Sequence, residues 1–388
     1  MKTYTNVKYQ ETEKGIWQCN VGENLSFFAV MQESYRDFPA NGGLRFLDYQ
    51  NEEAALEDAR TLSQLMHQKH AIYNTGFCGA KIVANGKVNK QNKRLILETL
   101  GDFLNNLSGK IYTGCDLNTN LDDMNFLSEK TPYILSGLGT TVDTSSATAY
   151  GVFGSIQGAM GVNLEKYSFL VHGTGKTGSV VSTLLVEAGA CVYTYDLLGD
   201  KSKIPGCIPV ESDKWSSLPV DCMVLCSASK IISEDIAQNL SCEYIISGAN
   251  NPFENTTVES ILSLKDIKWI PDPISNAGAV ISDSIEYYNS DKFHKAKPQD
   301  IYEFVRKVVY QKTLFFSCLY LNGIPKSKGV SIFSEFSDYN PLKCGMLFDF
   351  DYKDACYYNY HFPLNLLVNK KNLIANTSRE DIKHVAER

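Results

Sequence analysis

Two lysines, Lys69 and Lys81, flank the stretch His70-Ala71-Ile72-Tyr73-Asn74-Thr75-Gly76-Phe77-Cys78-Gly79-Ala80. Most lysines are only solvated surface charges. Lys81 departs from that pattern because it follows a turn bearing Gly76 and Gly79 and enters the apolar run Ala80-Lys81-Ile82-Val83-Ala84. Burial there would lower the pKa of its ammonium toward the range of a general base. Lys69, at the end of an amphipathic segment, could hold a carboxylate as a charge-assisted partner. Asp116 closes the segment Ile111-Tyr112-Thr113-Gly114-Cys115-Asp116. From there it could exchange protons with a reacting centre or simply cap the following turn, and spacing leaves both open.

A second pattern lies downstream, Gly173-Thr174-Gly175-Lys176-Thr177-Gly178 after the apolar Tyr167-Ser168-Phe169-Leu170-Val171-His172. Such glycine patterns are weak alone, but here a strand precedes the glycines and a helix follows. Gly173 permits a tight turn, Gly175 lets backbone amides approach a pyrophosphate, and Gly178 lets helix and strand pack closely. Lys176 and Thr177 open the helix, whose N-terminus offers positive potential to the phosphates. Asp196 falls at the end of the next strand, where an acid can accept a ribose 2′-hydroxyl and would repel a 2′-phosphate. NAD is therefore expected over NADP, a preference that Lys201 nearby could soften. Paired ammonium groups in one half of the chain and a dinucleotide site in the other imply redox chemistry on a small carboxylate-bearing molecule.

The elements that must position these residues can be read from periodicity. Residues 25–32 form a strand pattern; Glu52 to Lys69 repeats Ala55, Leu56, Ala59, Leu62, Leu65 and Met66 at helical spacing. Lys69 is then expected in a last helical turn and Lys81 at a turn-to-strand junction. Lys93 to Leu107 reads as a further amphipathic helix. From Tyr167 onward strands and helices alternate: strand 168–172, helix Gly178–Ala188, strand Cys191–Tyr195, then strands at 220–226, 243–247 and 267–270. That alternation predicts a parallel sheet with helices on both faces. Residues 298–322 read as a long helix, and the aromatic-rich tail from about Ser334 shows no clear helical period.

A length of 388 residues favours two domains, and a net charge of −7 argues against a nucleic-acid partner. No apolar run is long enough for a membrane helix, and Met1-Lys2-Thr3-Tyr4-Thr5-Asn6 lacks the apolar stretch of a signal peptide. The 11 scattered cysteines read as reduced thiols of a cytoplasmic protein, and none of the 6 histidines falls in a metal-ligand motif, so no metal is expected.

Six segments occur in order: Asn41-Gly42-Gly43-Leu44-Arg45-Phe46, the Lys69–Lys81 stretch, Thr113-Gly114-Cys115-Asp116, Thr148-Ala149-Tyr150-Gly151-Val152, Ala249-Asn250-Asn251 and Pro271-Asp272-Pro273-Ile274-Ser275-Asn276-Ala277-Gly278. Over roughly residues 25 to 330 the chain resembles the amino-acid dehydrogenase family of the leucine, phenylalanine, valine, tryptophan and glutamate enzymes, its leucine and phenylalanine branch most closely. The resemblance implies an α/β fold of two domains separated by a cleft. The N-terminal catalytic domain would span residues 1–147 and a Rossmann NAD-binding domain 148–333; the tail 334–388, which matches nothing in the family, is expected to pack on and complete the first domain. The resemblance also implies a homo-oligomer, dimer or higher, working on an L-amino acid, or in reverse on a 2-oxo acid and ammonia.

In that frame Lys69 would bind the substrate α-carboxylate, helped by Asn250 and by the backbone around Gly42 and Gly43. Lys81 would be the base that activates water, and Asp116 would shuttle protons to and from the amino group. Thr148, Asn250 and Asn276 would hold the nicotinamide end of the cofactor. The side-chain pocket aligns with Asn41, Met66, Gly114, Val280 and Asp283. In the leucine branch the places of Asn41 and Asp283 hold aliphatic residues, so the pocket is expected to take a side chain with a polar, cationic or indole group. Asp283 could instead turn away and pair with a local lysine or a backbone amide. Phe77-Cys78-Gly79-Ala80 also replaces a run of glycines, which leaves room for a second reading: a catalytically weakened, cofactor-binding regulatory relative.

Overall fold

The computed structural model of the chain describes residues 9–33, 37–211, 214–321 and 343–349. They fall into two compact units: the first runs to Thr141 and includes Asp283–His294 and Lys343–Met346, and the second takes the remainder.

In the first unit the apolar run Leu25–Met31 is buried at almost every position, which a strand needs only when both its faces are covered. The unit is built from β1 (Tyr9–Glu13), β2 (Ile16–Gly22), β3 (Leu25–Met31), β4 (Ala40–Asn41), β5 (Leu44–Leu47), α1 (Glu52–Tyr73), β6 (Cys78–Asn85), α2 (Lys90–Asn106), β7 (Ile111–Tyr112) and α3 (Leu121–Ser128). The sheet order is β1-β2-β3-β6-β4-β7, with β5 also paired to β6. β1, β2, β3 and β6 run antiparallel, whereas β4 and β5 lie parallel to β6, and β4 parallel to β7. One face of the sheet buries Phe28, Val30 and Val83 against Ala55 and Ala59 of α1. The other buries Phe27, Ile82 and Ala84 against Ile96, Leu100 and Phe103 of α2. Phe103 receives the rings of Tyr9, Trp17 and Phe27 edge-on, with centroids 5.4–5.9 Å away.

Two boundaries differ from the sequence expectation in ways that matter to the chemistry. α1 runs past Lys69 to Tyr73 and stops at Asn74, whose left-handed backbone (φ 45°) turns its N–H back onto Ala71 and His70 carbonyls. Lys69 thus lies a turn inside the helix. β6 begins at Cys78, because Cys78 and Gly79 pair with Ala40 and Asn41 of β4. Lys81 consequently sits inside the strand, opposite Val30, and not at a junction. In contrast, β7 is shorter than expected: it ends at Tyr112 and leaves Asp116 in a loop.

The second unit contains α4 (Thr144–Met160), β8 (Ser168–His172), α5 (Lys176–Glu187), β9 (Cys191–Tyr195), β10 (Ile208–Pro209), β11 (Cys222–Leu225), α6 (Glu234–Asn239), β12 (Tyr244–Ser247), α7 (Thr256–Leu264), β13 (Lys268–Trp269) and α8 (Asp272–Ser275). α9 (Gly278–Tyr288) carries the division between the units; α10 (Ser290–Phe293) and α11 (Pro298–Leu321) follow. The strands are all parallel in the order β10-β9-β8-β11-β12-β13. This is the doubly wound Rossmann arrangement, whose order reverses between β8 and β11. Leu170, Met223, Leu225, Ile245, Val258 and Trp269 form its core.

Most of the aromatic tail lies outside the described residues. Its described part is a short 3₁₀ turn, Cys344–Asp349, whose Cys344 N–H donates to Asn74 O at 2.9 Å. No helix among the described residues is long and apolar enough to cross a membrane.

Candidate active site

Three sequence-distant segments meet in the first unit because β4 is inserted between β6 and β7. Gly42 lies so close to β6 that a Cβ there would stand 1.7 Å from Ala80 O. At Gly43 a Cβ would meet Cys115 O at 2.8 Å. Thr113 Oγ1 donates to Gly42 O at 3.0 Å, and Leu44 N–H to Gly114 O at 2.8 Å. The Asn41-Gly42-Gly43 backbone is thereby clamped beside Lys81 on one side and Asp116 on the other.

Lys81 Nζ stands 2.7 Å from Asp116 Oδ2, and the lysine is only 5% exposed. The same carboxylate oxygen takes Arg45 Nε at 2.9 Å, while Arg45 Nη1 reaches Asp58 at 3.0 Å. Tyr49 Oη closes the chain by donating to Asp58 at 2.6 Å. Burial lowers the Lys81 ammonium below its ordinary range and Arg45 adds to this, against the opposing pull of Asp116. Burial would raise the Asp116 carboxyl, but the Lys81 and Arg45 charges outweigh it and hold the group well below the usual carboxylate range. Asp116 is therefore held as an anion so long as Lys81 and Arg45 are charged. Lys69 is also buried, on α1.

Arg45 and Asp58 escaped the sequence reading. Arg45 stood inside one of the six segments, but nothing in a local pattern shows that a residue of β5 will bridge to a loop far along the chain. His70 was missed as well. It is buried between Asn41 O (3.2 Å from Nε2) and Thr75 Oγ1 (2.7 Å from Nδ1). A carbonyl can only accept, so Nε2 carries the proton and Nδ1 accepts from the threonine. Burial pushes His70 down to about 3, which keeps it neutral.

Of the expected pocket residues, Asn41 is 1% exposed and neither of its amide atoms has a hydrogen-bond partner. Asp283, on α9, is pushed well above the usual carboxylate range by burial and by Glu286, with the Asn41 amide opposing. No ion pair joins Asp283 to a lysine or arginine among the described residues. A Cβ at Gly114 would meet Leu135 O at 2.3 Å and Ser136 Oγ at 2.9 Å. Met66 is half-buried on α1 and Val280 is buried on α9.

In the second unit the glycine turn follows β8 directly. Gly173 has φ 90°, a conformation glycine adopts freely. A Cβ at Gly178 would lie 1.9 Å from Gly173 O, whereas one at Gly175 would meet nothing within 4 Å. The backbone thus leaves open space over the N-terminus of α5, where Lys176 and Thr177 begin the helix, and a pyrophosphate fits there. Asp196 accepts from Thr174 N–H at 2.8 Å and Leu198 N–H at 2.9 Å. Burial acts to raise its carboxyl, but these amides, Thr174 Oγ1 and Lys201 hold it ionised, as an acceptor for a ribose hydroxyl must be. Asn276 Nδ2 donates to Ala249 O at 3.1 Å and Asn250 Oδ1 at 3.0 Å, leaving its own Oδ1 buried without a partner. That orphaned acceptor fits an amide N–H such as a carboxamide supplies. Thr148, half-buried on α4, turns its hydroxyl back to Thr144 O at 3.0 Å.

Comparison with known proteins places two matches on the chain. The profile of the Glu/Leu/Phe/Val dehydrogenase dimerisation domain matches residues 21–133, and that of the glutamate/leucine/phenylalanine/valine dehydrogenases matches residues 194–319. Phenylalanine dehydrogenase of Lysinibacillus sphaericus is 30% identical over 295 residues, covering 71% of this chain and 77% of the relative. Leucine dehydrogenase of Thermoactinomyces intermedius is 29% identical over 284 residues, covering 70% and 77%. Among solved structures, L-tryptophan dehydrogenase from Nostoc punctiforme superposes with a TM-score of 0.66 at 26% identity, covering 86% of this chain and 96% of that one.

Proposed function

Since the chain belongs to the Glu/Leu/Phe/Val dehydrogenase family, oxidoreductases that act on CH–NH₂ groups, we propose that it carries out NAD-dependent oxidative deamination of an L-amino acid to the 2-oxo acid and ammonia, or the reverse reductive amination. The observation that carries this reading is the buried Lys81–Asp116 pair at 2.7 Å, braced by Arg45. In this reading residues 1–147 form the catalytic domain and 148–333 the cofactor domain, with Asp283 serving the former. The match of a dimerisation-domain profile supports a homo-oligomer.

Gly173, Gly175, Lys176, Thr177, Gly178 and Asp196 would hold the dinucleotide, with Thr148, Asn250 and Asn276 toward its nicotinamide, and the cofactor when bound would accept the hydride of Cα. The protein's share is orientation and proton transfer. The Lys69 ammonium and the amides around Gly42 and Gly43 bind the α-carboxylate and fix Cα. Lys81, its pKa lowered by burial, takes a proton when neutral from the water that attacks the imino carbon. Asp116 stays ionised while Lys81 and Arg45 are charged, so it receives a proton only in step with the loss of charge from Lys81. The two titrate as one unit. The pocket at Asn41, Met66, Gly114, Val280 and Asp283 then receives a side chain bearing a polar, cationic or indole group. No observation favours the weakened regulatory relative, since Lys69, Lys81 and Asp116 are all retained.

The test is NADH absorbance on mixing the protein with NAD and a panel of L-amino acids. Lys81→Ala should lower kcat by roughly 10²–10⁴-fold, the usual contribution of a positioned base. Full activity in that variant would refute the assignment.

A further inference from the structure

Around the end of β4 the first unit buries more hydrogen-bonding capacity than it uses. Asn41 is 1% exposed with Nδ2 and Oδ1 both unpartnered, and Ser136 is 3% exposed with Oγ unpartnered. Ser136 adjoins Gly114, since its Oγ would stand 2.9 Å from a Cβ there. Its neighbour Gly137 donates its N–H to Glu286 at 3.0 Å, one helical turn beyond Asp283 on α9. Glu286 is thus anchored to backbone, while Asp283, 9% exposed, has no counterion among the described residues. The Asn41 amide opposes the rise of the Asp283 carboxyl. The cluster therefore combines an uncompensated acid with two further buried side chains that have oxygen atoms to offer.

We propose that Asp283, Asn41 and Ser136 form the end of a side-chain subsite for L-amino acids whose side chain terminates in a cation, an ammonium or a guanidinium. This deepens the dehydrogenase reading and rests on it. Acceptors and charge together decide between the candidate side chains. Asp283, Asn41 Oδ1 and Ser136 Oγ can all accept, while Asn41 Nδ2 and the Ser136 hydroxyl are also able to donate. An ammonium brings three donors and a guanidinium five, whereas an indole brings one and a branched aliphatic chain none. Only the cation also supplies the charge that a buried carboxylate lacks, since removing one partner of such a pair leaves the other uncompensated. The carboxylate recognises the charge; the amide and hydroxyl read its hydrogens. The order of Asn41 before Gly42 and Gly43 sets this end beside the backbone that clamps Lys81 and Asp116.

The inference is tested by steady-state NADH formation from L-lysine, L-ornithine, L-arginine, L-leucine, L-phenylalanine and L-tryptophan with NAD in excess. A cationic substrate should exceed leucine and tryptophan in kcat/KM by about a hundredfold or more, as sites built around polar partners reject analogues that lack them. Asp283→Leu should reverse that ratio, and Asp283→Asn should collapse it. Preference for leucine, phenylalanine or tryptophan in the unaltered protein overturns the cationic subsite while leaving the dehydrogenase standing. If no amino acid gives NADH, the dehydrogenase reading fails instead, and calorimetric titration with L-arginine and L-leucine decides the subsite. Binding of arginine alone, lost in Asp283→Asn, upholds it; binding of leucine, or of neither, overturns it.

Discussion

The carboxylate of Asp116 is shared by two cations, and that sharing divides the labour between the charged groups. Arg45 remains protonated at any working pH. It pins Asp116 as an anion and repels the proton on Lys81, while Asp58 and Asp116 pull the other way on Lys81. In the proposed mechanism Lys81 must be neutral to accept a proton, so kcat/KM should rise with pH as its ammonium titrates, and this limb reports the free enzyme. Replacing Arg45 with methionine removes the repulsion and leaves Asp58 and Asp116 facing Lys81 without their partner. The Lys81 pKa must then rise, and the acid limb of kcat/KM should move to higher pH. A pH–rate profile of Arg45→Met with saturating NAD checks this; a limb that stays fixed or moves lower would separate Arg45 from the base. A merely structural arginine would reduce activity at all pH values alike.

The elements that carry these residues depend on close backbone approaches at a few glycines, each with its own consequence. At Gly178 a side chain would run into Gly173 O at 1.9 Å, so Gly178→Ala should destabilise the second unit by about 1–3 kcal/mol, as overpacking does. At Gly175 a Cβ meets nothing within 4 Å. Gly175→Ala should leave stability within about 0.5 kcal/mol while weakening NAD binding roughly tenfold, because the methyl enters the space assigned to the pyrophosphate. Urea unfolding and NAD titration of both variants read the two effects separately; equal losses of stability would mean that Gly175 is also a packing glycine. The contrast marks how far the sequence could be read. The glycine turn, its flanking strand and helix, and Asp196 were legible because that site is built from consecutive residues with local signals. Lys69 and Lys81 were legible as residue types, but Lys81 was misplaced to a junction, since the start of β6 is set by its pairing with β4. Arg45 and His70 left no periodic trace, because Asp116 and Asn41, which they meet, lie 71 and 29 residues away along the chain. A two-residue strand pairing cannot be inferred from hydrophobic period alone.

Each unit buries its own apolar core, and the three tryptophans divide between them: Trp17 lies in the core of the first unit, Trp215 and Trp269 in that of the second. Chains of more than one unit commonly depart from all-or-none unfolding. Trp17→Phe leaves fluorescence that reports the second unit alone, and Trp215→Phe/Trp269→Phe leaves a reporter of the first. A ligand stabilises only the part whose folded form binds it, by about 2.7 kcal/mol at a hundred times its Kd. With the dinucleotide assigned to the turn between β8 and α5, NAD at that excess should move the transition seen in Trp17→Phe well beyond the one seen in Trp215→Phe/Trp269→Phe. Thermal unfolding of the two proteins with and without NAD makes the comparison. A larger shift in the first-unit reporter would place the cofactor on the wrong unit. Equal shifts in both would show that the molecule unfolds as one cooperative body, in which the loss of one core removes the other.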